Sequence, residues 1–329
     1  MEKISKPLVL VLGHRFSSLE IERDVLDGTA RLVDANELSK AELSSVLQRA
    51  AVVMLGTGAQ VGPDRVRAMK ACRAIIRYGI GIDNVALDEA TRQGIAVANV
   101  PDYCIEEVSD HALTLLLAAS RRLLSAVEAA RRGAWGTGIM KGVERLGMQT
   151  LGLVAFGRIA QALARKARPL VKRVVAFDPG VEAEVMAAQG VEAVDFDTLL
   201  SSSDYISIHC PLNDQTRHLF DAEALSRMKD SAWLINTARG GIVDQEALEE
   251  ALNEGNIAGA ALDVLEMEPP GDVSLLELPN SIITPHVAYY SRRAIEDLQR
   301  TAAEQAFSVL RGRRPEWQLN ELVSRGAER

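Results

Sequence analysis

The stretch Thr150-Leu151-Gly152-Leu153-Val154-Ala155-Phe156-Gly157-Arg158-Ile159-Ala160 decides the fold. A short continuous apolar run ends in small residues, and a helix-forming segment follows at once. A run without polar alternation reads as a strand covered on both faces, the kind found in parallel sheets. The turn after it compares with the dinucleotide fingerprint. That fingerprint wants one glycine for the tight turn, one where backbone meets pyrophosphate, and a small residue where helix packs on strand. Gly157 takes the middle role, and Ala160 is an allowed third. Ala155 stands where the first glycine belongs, and its methyl is expected to crowd the turn and weaken cofactor affinity. Taken alone, the stretch fits a plain strand–turn–helix equally well.

Working outward, two series of short apolar runs alternate with amphipathic segments. The first comprises Pro7–Gly13, Ala30–Val33, Ala51–Gly56, Ala74–Tyr78 and Ala96–Val100. The second comprises Thr150–Ala155, Arg173–Asp178, Asp204–Cys210, Ala232–Thr237, Gly259–Val264 and Ser281–Thr284. Helical patterns fill the gaps at Ser39–Arg49, Pro63–Ala71, Ala222–Met228 and Gln245–Glu254. This is strand–helix–strand wiring twice over, and it predicts an α/β protein with two doubly wound parallel sheets. Between the series, Glu106–Arg132 reads as one long helix, apolar nearly all round at its centre, and such a helix must be buried between layers or subunits. Arg292–Leu310 reads as a closing amphipathic helix, with the basic run Arg311–Arg314 as its solvated end.

The chain has 329 residues, which suits two domains with a cleft between them. Its 45 acidic and 37 basic side chains leave a net charge of −8, a sign that repels polyphosphate and argues against nucleic acid as a partner. Apolar residues at 47% and charged ones at 25% match a globular protein. Cys72, Cys104 and Cys210 are odd in number and lack a Cys-x-x-Cys spacing, so they read as reduced thiols in a cytoplasmic setting. Met1–Lys6 is charged, and the apolar run behind it is too short for a signal peptide. The longest uncharged helical stretch, Ala112–Ser120, is under half of the ~20 residues that a membrane span needs, so no membrane association is expected.

Chemistry concentrates at strand ends, where open α/β sheets bind ligands. Asp178 closes the run after the glycine turn, about twenty residues beyond it, where an acid accepts hydrogen bonds from an adenosine ribose. The same carboxylate repels a 2′-phosphate, which favours NAD over NADP. Three later run ends carry Asn236-Thr237-Ala238-Arg239-Gly240-Gly241, Asp263-Val264-Leu265-Glu266-Met267-Glu268-Pro269 and Thr284-Pro285-His286. Singly, each has a dull explanation: a surface cation, a solvated loop acid, a satisfied polar residue. Jointly they supply an anion clamp, a carboxylate and a proton donor.

These blocks give the chain a resemblance, over essentially its full length, to the D-isomer-specific 2-hydroxyacid dehydrogenases. Within that family the resemblance leans to the C-terminal binding protein (CtBP)-like branch. The branch-like features are Phe16-Ser17-Ser18-Leu19-Glu20-Ile21-Glu22-Arg23, Arg77-Tyr78-Gly79-Ile80-Gly81-Ile82-Asp83-Asn84, Asn99-Val100-Pro101-Asp102-Tyr103-Cys104, Glu107-Val108-Ser109-Asp110-His111-Ala112 and Thr284-Pro285-His286-Val287-Ala288-Tyr289-Tyr290-Ser291. The resemblance implies that Arg239 grips the substrate carboxylate, that His286 is the acid/base, and that Glu268 is its paired carboxylate. It places Ala155, Gly157, Arg158 and Ile159 in the pyrophosphate turn, Asp178 on the ribose, and Cys210 and Pro211 over the adenosine. Thr237, Ala238 and Asp263 fall near the nicotinamide. Gly79, Ile80 and Gly81, with Arg77 beside them, belong to the substrate-lobe loop. The resemblance also implies a discontinuous substrate domain, 1–102 with 294–329, a Rossmann NAD domain over 103–293, and a homodimer built in part on the helix near Glu106–Arg132.

The chemistry expected of such a set is reduction of a 2-oxo acid with NAD(H). An anionic Glu268 beside His286 favours the imidazolium, and Arg239 offers a planar fork for a carboxylate. The loop Leu55-Gly56-Thr57-Gly58-Ala59 is neutral, which argues against a phosphorylated substrate; Tyr103, Tyr289 and Tyr290 can line an apolar pocket. His111 and His209 read as satisfied structural histidines. No zinc spacing, Walker loop or serine-hydrolase elbow occurs, so no metal is expected. Two alternatives stay open: an NADH-sensing CtBP-like scaffold with little turnover, and a 3-phosphoglycerate dehydrogenase.

Overall fold

The computed structural model describes residues 6–140, 142–271 and 274–322, so all but the last residue of the charged start lies outside it. Two compact units form, Met1–Cys104 with Ser291–Arg329, and Ile105–Tyr290. In chain order the first holds β1 (Leu8–Leu12), α1 (Glu20–Leu26), β2 (Arg31–Asp34), α2 (Lys40–Arg49), β3 (Ala50–Leu55), α3 (Pro63–Ala68), β4 (Ala74–Arg77), α4 (Leu87–Arg92) and β5 (Ala96–Ala98). The second holds α5 (Ile105–Ser120), α6 (Leu123–Arg131), β6 (Thr150–Val154), α7 (Arg158–Ala167), β7 (Arg173–Phe177), α8 (Ala183–Ala188), β8 (Glu192–Ala193), α9 (Phe196–Ser202), β9 (Tyr205–Ile208), α10 (Ala222–Ser226), β10 (Trp233–Asn236), α11 (Gln245–Glu254), β11 (Gly259–Leu262) and β12 (Ser281–Ile283). The closing helix α12 (Arg292–Leu310) returns to the first unit.

Both sheets are parallel throughout the named strands, in the orders β2-β1-β3-β4-β5 and β12-β11-β10-β9-β6-β7-β8. This is the α/β architecture expected from the apolar runs. The period-2 geometry of a strand explains why those runs show no alternation. In the first unit Val9, Val11, Val52 and Met54 point to one face, against Leu298, Ala302 and Val309 of α12. Leu10, Leu12, Val53 and Leu55 point to the other, against Leu47 of α2 and Val66 of α3. Each face is apolar because each is roofed by helices. In the second unit Leu151 and Leu153 face α5 and α7, while Ile206, Ile208 and Leu234 face α9, α10 and α11.

The long helix expected over Glu106–Arg132 is instead two helices, because Arg122 turns left-handed at φ 46° and ends the hydrogen-bond ladder of α5. Its apolar girth is also only partly buried. Ala112, Leu115, Leu116 and Ala119 enter the core of the second unit, whereas Leu123, Leu124 and Val127 on α6 stay exposed. β8 carried no sequence signal: two residues, Glu192 and Ala193, paired to Val175 and Ala176 of β7, with no β-branched side chain and no apolar run. At the far edge of the first sheet, Leu319 donates its N–H to Val97 O, and the Asn320 side chain accepts from Val97 N–H and donates to Ile95 O, covering the open edge of β5. Among the described residues no helix is long and apolar enough to cross a membrane.

Candidate active site

Strand order in the second unit reverses between β6 and β9, because the chain winds outward from β6 in one direction through β7 and in the other from β9. The carboxyl ends of β6, β7, β9, β10, β11 and β12 deliver, in turn, Ala155, Asp178, Cys210, Arg239, Asp263 and His286. The sequence-assigned residues of this unit therefore lie along one edge of one sheet.

At β6 the turn is tight. Ala155 sits at φ 70°, the left-handed region that glycine prefers, while its N–H donates to Phe177 O. Gly157 precedes α7 and, as glycine, brings no side-chain cap to the first turn of that helix, the kind of helix end where anions bind. Arg158 and Ile159 open the helix. Asp178 accepts from Phe156 N–H through Oδ2 and from Gly180 N–H through Oδ1, both at 2.8 Å, so it braces the turn. Each oxygen keeps a lone pair for a ribose hydroxyl. Burial pushes the neighbouring Cys210 thiol up to about 11, with the Asp178 charge adding to it, so that thiol is inert. Pro211 is exposed, and its carbonyl accepts from the Thr216 hydroxyl.

The left-handed Ala155 has a measurable consequence. Non-glycine residues there pay about 1–2 kcal/mol, and glycine returns part of that as unfolded-chain entropy. Ala155→Gly is expected to leave stability unchanged or raise it by up to about 1 kcal/mol, with NADH binding equal or tighter. Ala155→Val, β-branched at positive φ, is expected to lose stability; denaturant titration of both variants checks this.

The chemistry-bearing group lies at β12. His286 sets Nδ1 at 2.5 Å from Glu268 Oε2, and Glu268 Oε1 accepts the N–H of Leu265 at 3.0 Å. The two side chains are 41% and 34% exposed, open to a ligand. Partial burial pushes the Glu268 carboxyl up. The hydrogen bond and charge of His286, the N–H of Leu265 and the charge of Arg239 outweigh this and hold it below the usual carboxylate range. The Arg239 guanidinium is thus near enough to act on Glu268: arginine, acid and imidazole converge.

Local backbone explains that convergence. Asn236, buried at the end of β10, accepts from Ala238 N–H and donates to Arg239 O, closing the turn that projects Arg239. One terminal nitrogen of Arg239 donates to Ala238 O at 2.7 Å. Gly240 lies against the loop that follows β11, so that a Cβ there would stand 2.0 Å from Leu265 C and O. Only glycine allows the Arg239 turn and the Glu268 loop to touch. Thr237 beside it has a buried hydroxyl with no partner among the described residues. That orphaned hydroxyl, the uncapped helix start and Asp178 fit a dinucleotide.

Asp263, expected on the nicotinamide side, also makes bonds inside the protein. It is 1% exposed; Oδ1 accepts from the Thr284 hydroxyl and Val287 N–H, and Oδ2 from Ala288 N–H. It holds the turn that carries His286, itself left-handed at φ 54°. His111, read as a bland structural residue, joins that network through Thr284. His209 is structural as read: its ring meets Ser207 Oγ at 2.9 Å, and burial pulls its pKa down to about 4. Sequence reasoning also passed over His218, which meets Glu266 Oε1 at 2.5 Å and faces Asp244, tying together the loops after β9, β10 and β11. Nothing in its spacing pointed to either acid.

In the first unit, Arg77 ends β4 and donates to Tyr78 O. It lies over Gly79, whose φ of 129° and missing Cβ leave the room its guanidinium occupies. The loop is pinned by Val100 N–H to Gly79 O and Asn99 Nδ2 to Ile80 O. The N–H groups of Gly79, Ile80 and Gly81 are not spent on any acceptor among the described residues.

Residues 113–288 match the family model for the D-isomer specific 2-hydroxyacid dehydrogenase, NAD binding domain. A hydroxypyruvate reductase of Thermotoga maritima is 37% identical over 84% of this chain and 90% of its own length. A D-3-phosphoglycerate dehydrogenase of Methanocaldococcus jannaschii is 38% identical over 88% of this chain but only 55% of its own, so the chain spans about half of that relative. Among solved structures, the D-lactate dehydrogenase of Aquifex aeolicus, complexed with NAD and lactic acid, superposes with a TM-score of 0.84 at 27% identity, covering 92% of this chain and 96% of that one. The chain belongs to the D-isomer-specific 2-hydroxyacid dehydrogenase family and carries its NAD-binding domain.

Proposed function

We propose that this protein is an NAD-dependent 2-oxoacid reductase, acting on a small or medium 2-oxo acid with an uncharged tail. The observation that carries the reading is the 2.5 Å pair of His286 and Glu268 within reach of the Arg239 charge. NADH, when bound, supplies a hydride to C2 of the oxo acid. His286 holds a proton on Nε2 and delivers it to the C2 oxygen, since Nδ1 is committed to Glu268. Arg239 grips the substrate carboxylate in two places and so decides which carbon is presented. Glu268 balances the imidazolium. Arg77, Gly79, Ile80 and Gly81 of the first unit are assigned to substrate binding, with the first unit as substrate domain and the second as NAD domain. Asp178 selects NADH over NADPH.

The relatives include hydroxypyruvate and glyoxylate reductases, which supports short, unphosphorylated substrates. Phosphoglycerate dehydrogenases are equally similar, so a phosphorylated acid is the second reading. One assay tests both: NADH and NADPH oxidation over glyoxylate, pyruvate, hydroxypyruvate, longer 2-oxo acids and 3-phosphohydroxypyruvate. NADH binding without oxidation of any of them is the CtBP-like scaffold outcome and overturns the proposal. The exposed apolar face of Leu123, Leu124 and Val127 supports a homodimer covering it, and cysteines that form no disulfide support a cytoplasmic setting.

The pairing has its own test. Glu268→Gln removes the charged acceptor that His286 Nδ1 meets at 2.5 Å, and it is expected to lower kcat for 2-oxo-acid reduction by about tenfold or more, with the NADH Kd within about threefold of the parent. An unchanged kcat contradicts it.

A further inference from the structure

The buried carboxylate of Asp263 accepts from Thr284 Oγ1 at 2.5 Å, Val287 N–H at 3.0 Å and Ala288 N–H at 2.8 Å. From α5, His111 places Nε2 3.0 Å from Thr284 Oγ1 and 3.5 Å from Asp263 Oδ1. Proton accounting fixes the direction of this chain. A hydroxyl has one proton, and an ionised carboxylate can only accept. Thr284 thus donates to Asp263, leaving Oγ1 only lone pairs for His111, and Nε2 of His111 must carry a proton. The order of donation is His111 to Thr284 to Asp263, whose oxygens then hold the two N–H groups just beyond His286. Backbone reinforces the same knot, since His286 N–H donates to Asp263 O.

We propose that His111 is a positioning residue for the proton-transfer step, an inference that rests on the assignment of His286 as acid/base. Among the described residues His111 makes no hydrogen bond or ion pair to His286; its partners are Thr284 and Asp263. It orients the Thr284 hydroxyl, which keeps the Asp263 carboxylate turned toward Val287 and Ala288, and these bonds hold His286 in a left-handed conformation that a non-glycine residue does not adopt unaided. Loosening the first donor lets the turn relax and carries the imidazole off its line to the C2 oxygen. Partners that orient a functional side chain from behind typically matter at the tenfold to hundredfold level.

The test uses the full chain with NADH present and the variants His111→Leu, His111→Asn and His111→Gln. Leucine cannot donate, and asparagine is polar but too short to reach Thr284; glutamine can extend an amide N–H to it. For leucine and asparagine, kcat is expected to fall about tenfold or more, with KM and the NADH Kd within about threefold of the parent. Amide exchange at Val287 and Ala288 is expected to quicken by a similar factor, while amides in β6 stay protected. Glutamine is expected to restore both readouts. Should the leucine variant fail to fold, the asparagine variant carries the same expectation. Unchanged exchange at Val287 and Ala288, faster exchange with unchanged kcat, or a glutamine variant as poor as leucine overturns the proposal. A parent that reduces no 2-oxo acid defeats the functional assignment instead, and the exchange data then decide the positioning role alone.

Discussion

His286→Asn is expected to lower kcat for 2-oxo-acid reduction by about a thousandfold, while the NADH Kd stays within about threefold of the parent. Asparagine is the variant of choice because His286 is left-handed at φ 54°, and asparagine tolerates that region better than alanine. Its loss then reads chemistry rather than backbone strain. His286→Ala is expected to lose as much or more, with some added instability. The size follows from what a positioned general acid contributes, typically 10²–10⁴ in rate. It also follows that the loss falls on kcat and kcat/KM together, since the proton is needed only as the C2 oxygen gains charge. Single-turnover measurements with saturating NADH check this directly. An asparagine variant within tenfold of the parent removes the imidazole from the reaction.

The strand ends that carry this chemistry were legible because parallel sheets impose two visible rules. Strands roofed on both faces are largely apolar, so β1 and β3 announce themselves as the runs Leu8–Leu12 and Ala50–Leu55. Ligands gather where those runs stop, so Arg239, Glu268 and His286 stand out as polar residues just past apolar ones. What stayed hidden lacks a local signature. Arg122 looks like any helical arginine, yet a single positive φ divides the predicted helix in two. The link from His111 to Thr284 spans 173 positions, and only the packing of α5 against the sheet creates it. Asp263 stood out by its place at a strand end, but nothing local showed its second part: buried at 1% exposure, it anchors the His286 turn through Val287 and Ala288. Polar side chains at such ends divide between those that face a ligand and those that hold the first group still, and a one-dimensional pattern does not separate them.

Replacing Arg239 separates charge from shape. Arg239→Gln is expected to lower kcat/KM by about a thousandfold, with most of the loss in KM and a further part in kcat, because a misplaced oxo acid presents C2 poorly. A second effect appears on the pH axis. The Arg239 charge is one of the causes that hold Glu268 below the usual carboxylate range. Without it the Glu268 carboxyl moves back up, so the acid protonates sooner as pH falls, and the acid-side decline in rate begins at a higher pH than in the parent. Arg239→Lys keeps the charge and loses the two-pronged fork. It is therefore expected to restore the acid limb close to its original position while recovering little of KM, since an ammonium cannot grip a carboxylate in two places. Lysine that restores KM as fully as the acid limb reduces Arg239 to a point charge. Glutamine that leaves KM untouched moves the carboxylate clamp elsewhere in the protein, and the assignment of the second unit's sheet edge as the reacting site goes with it.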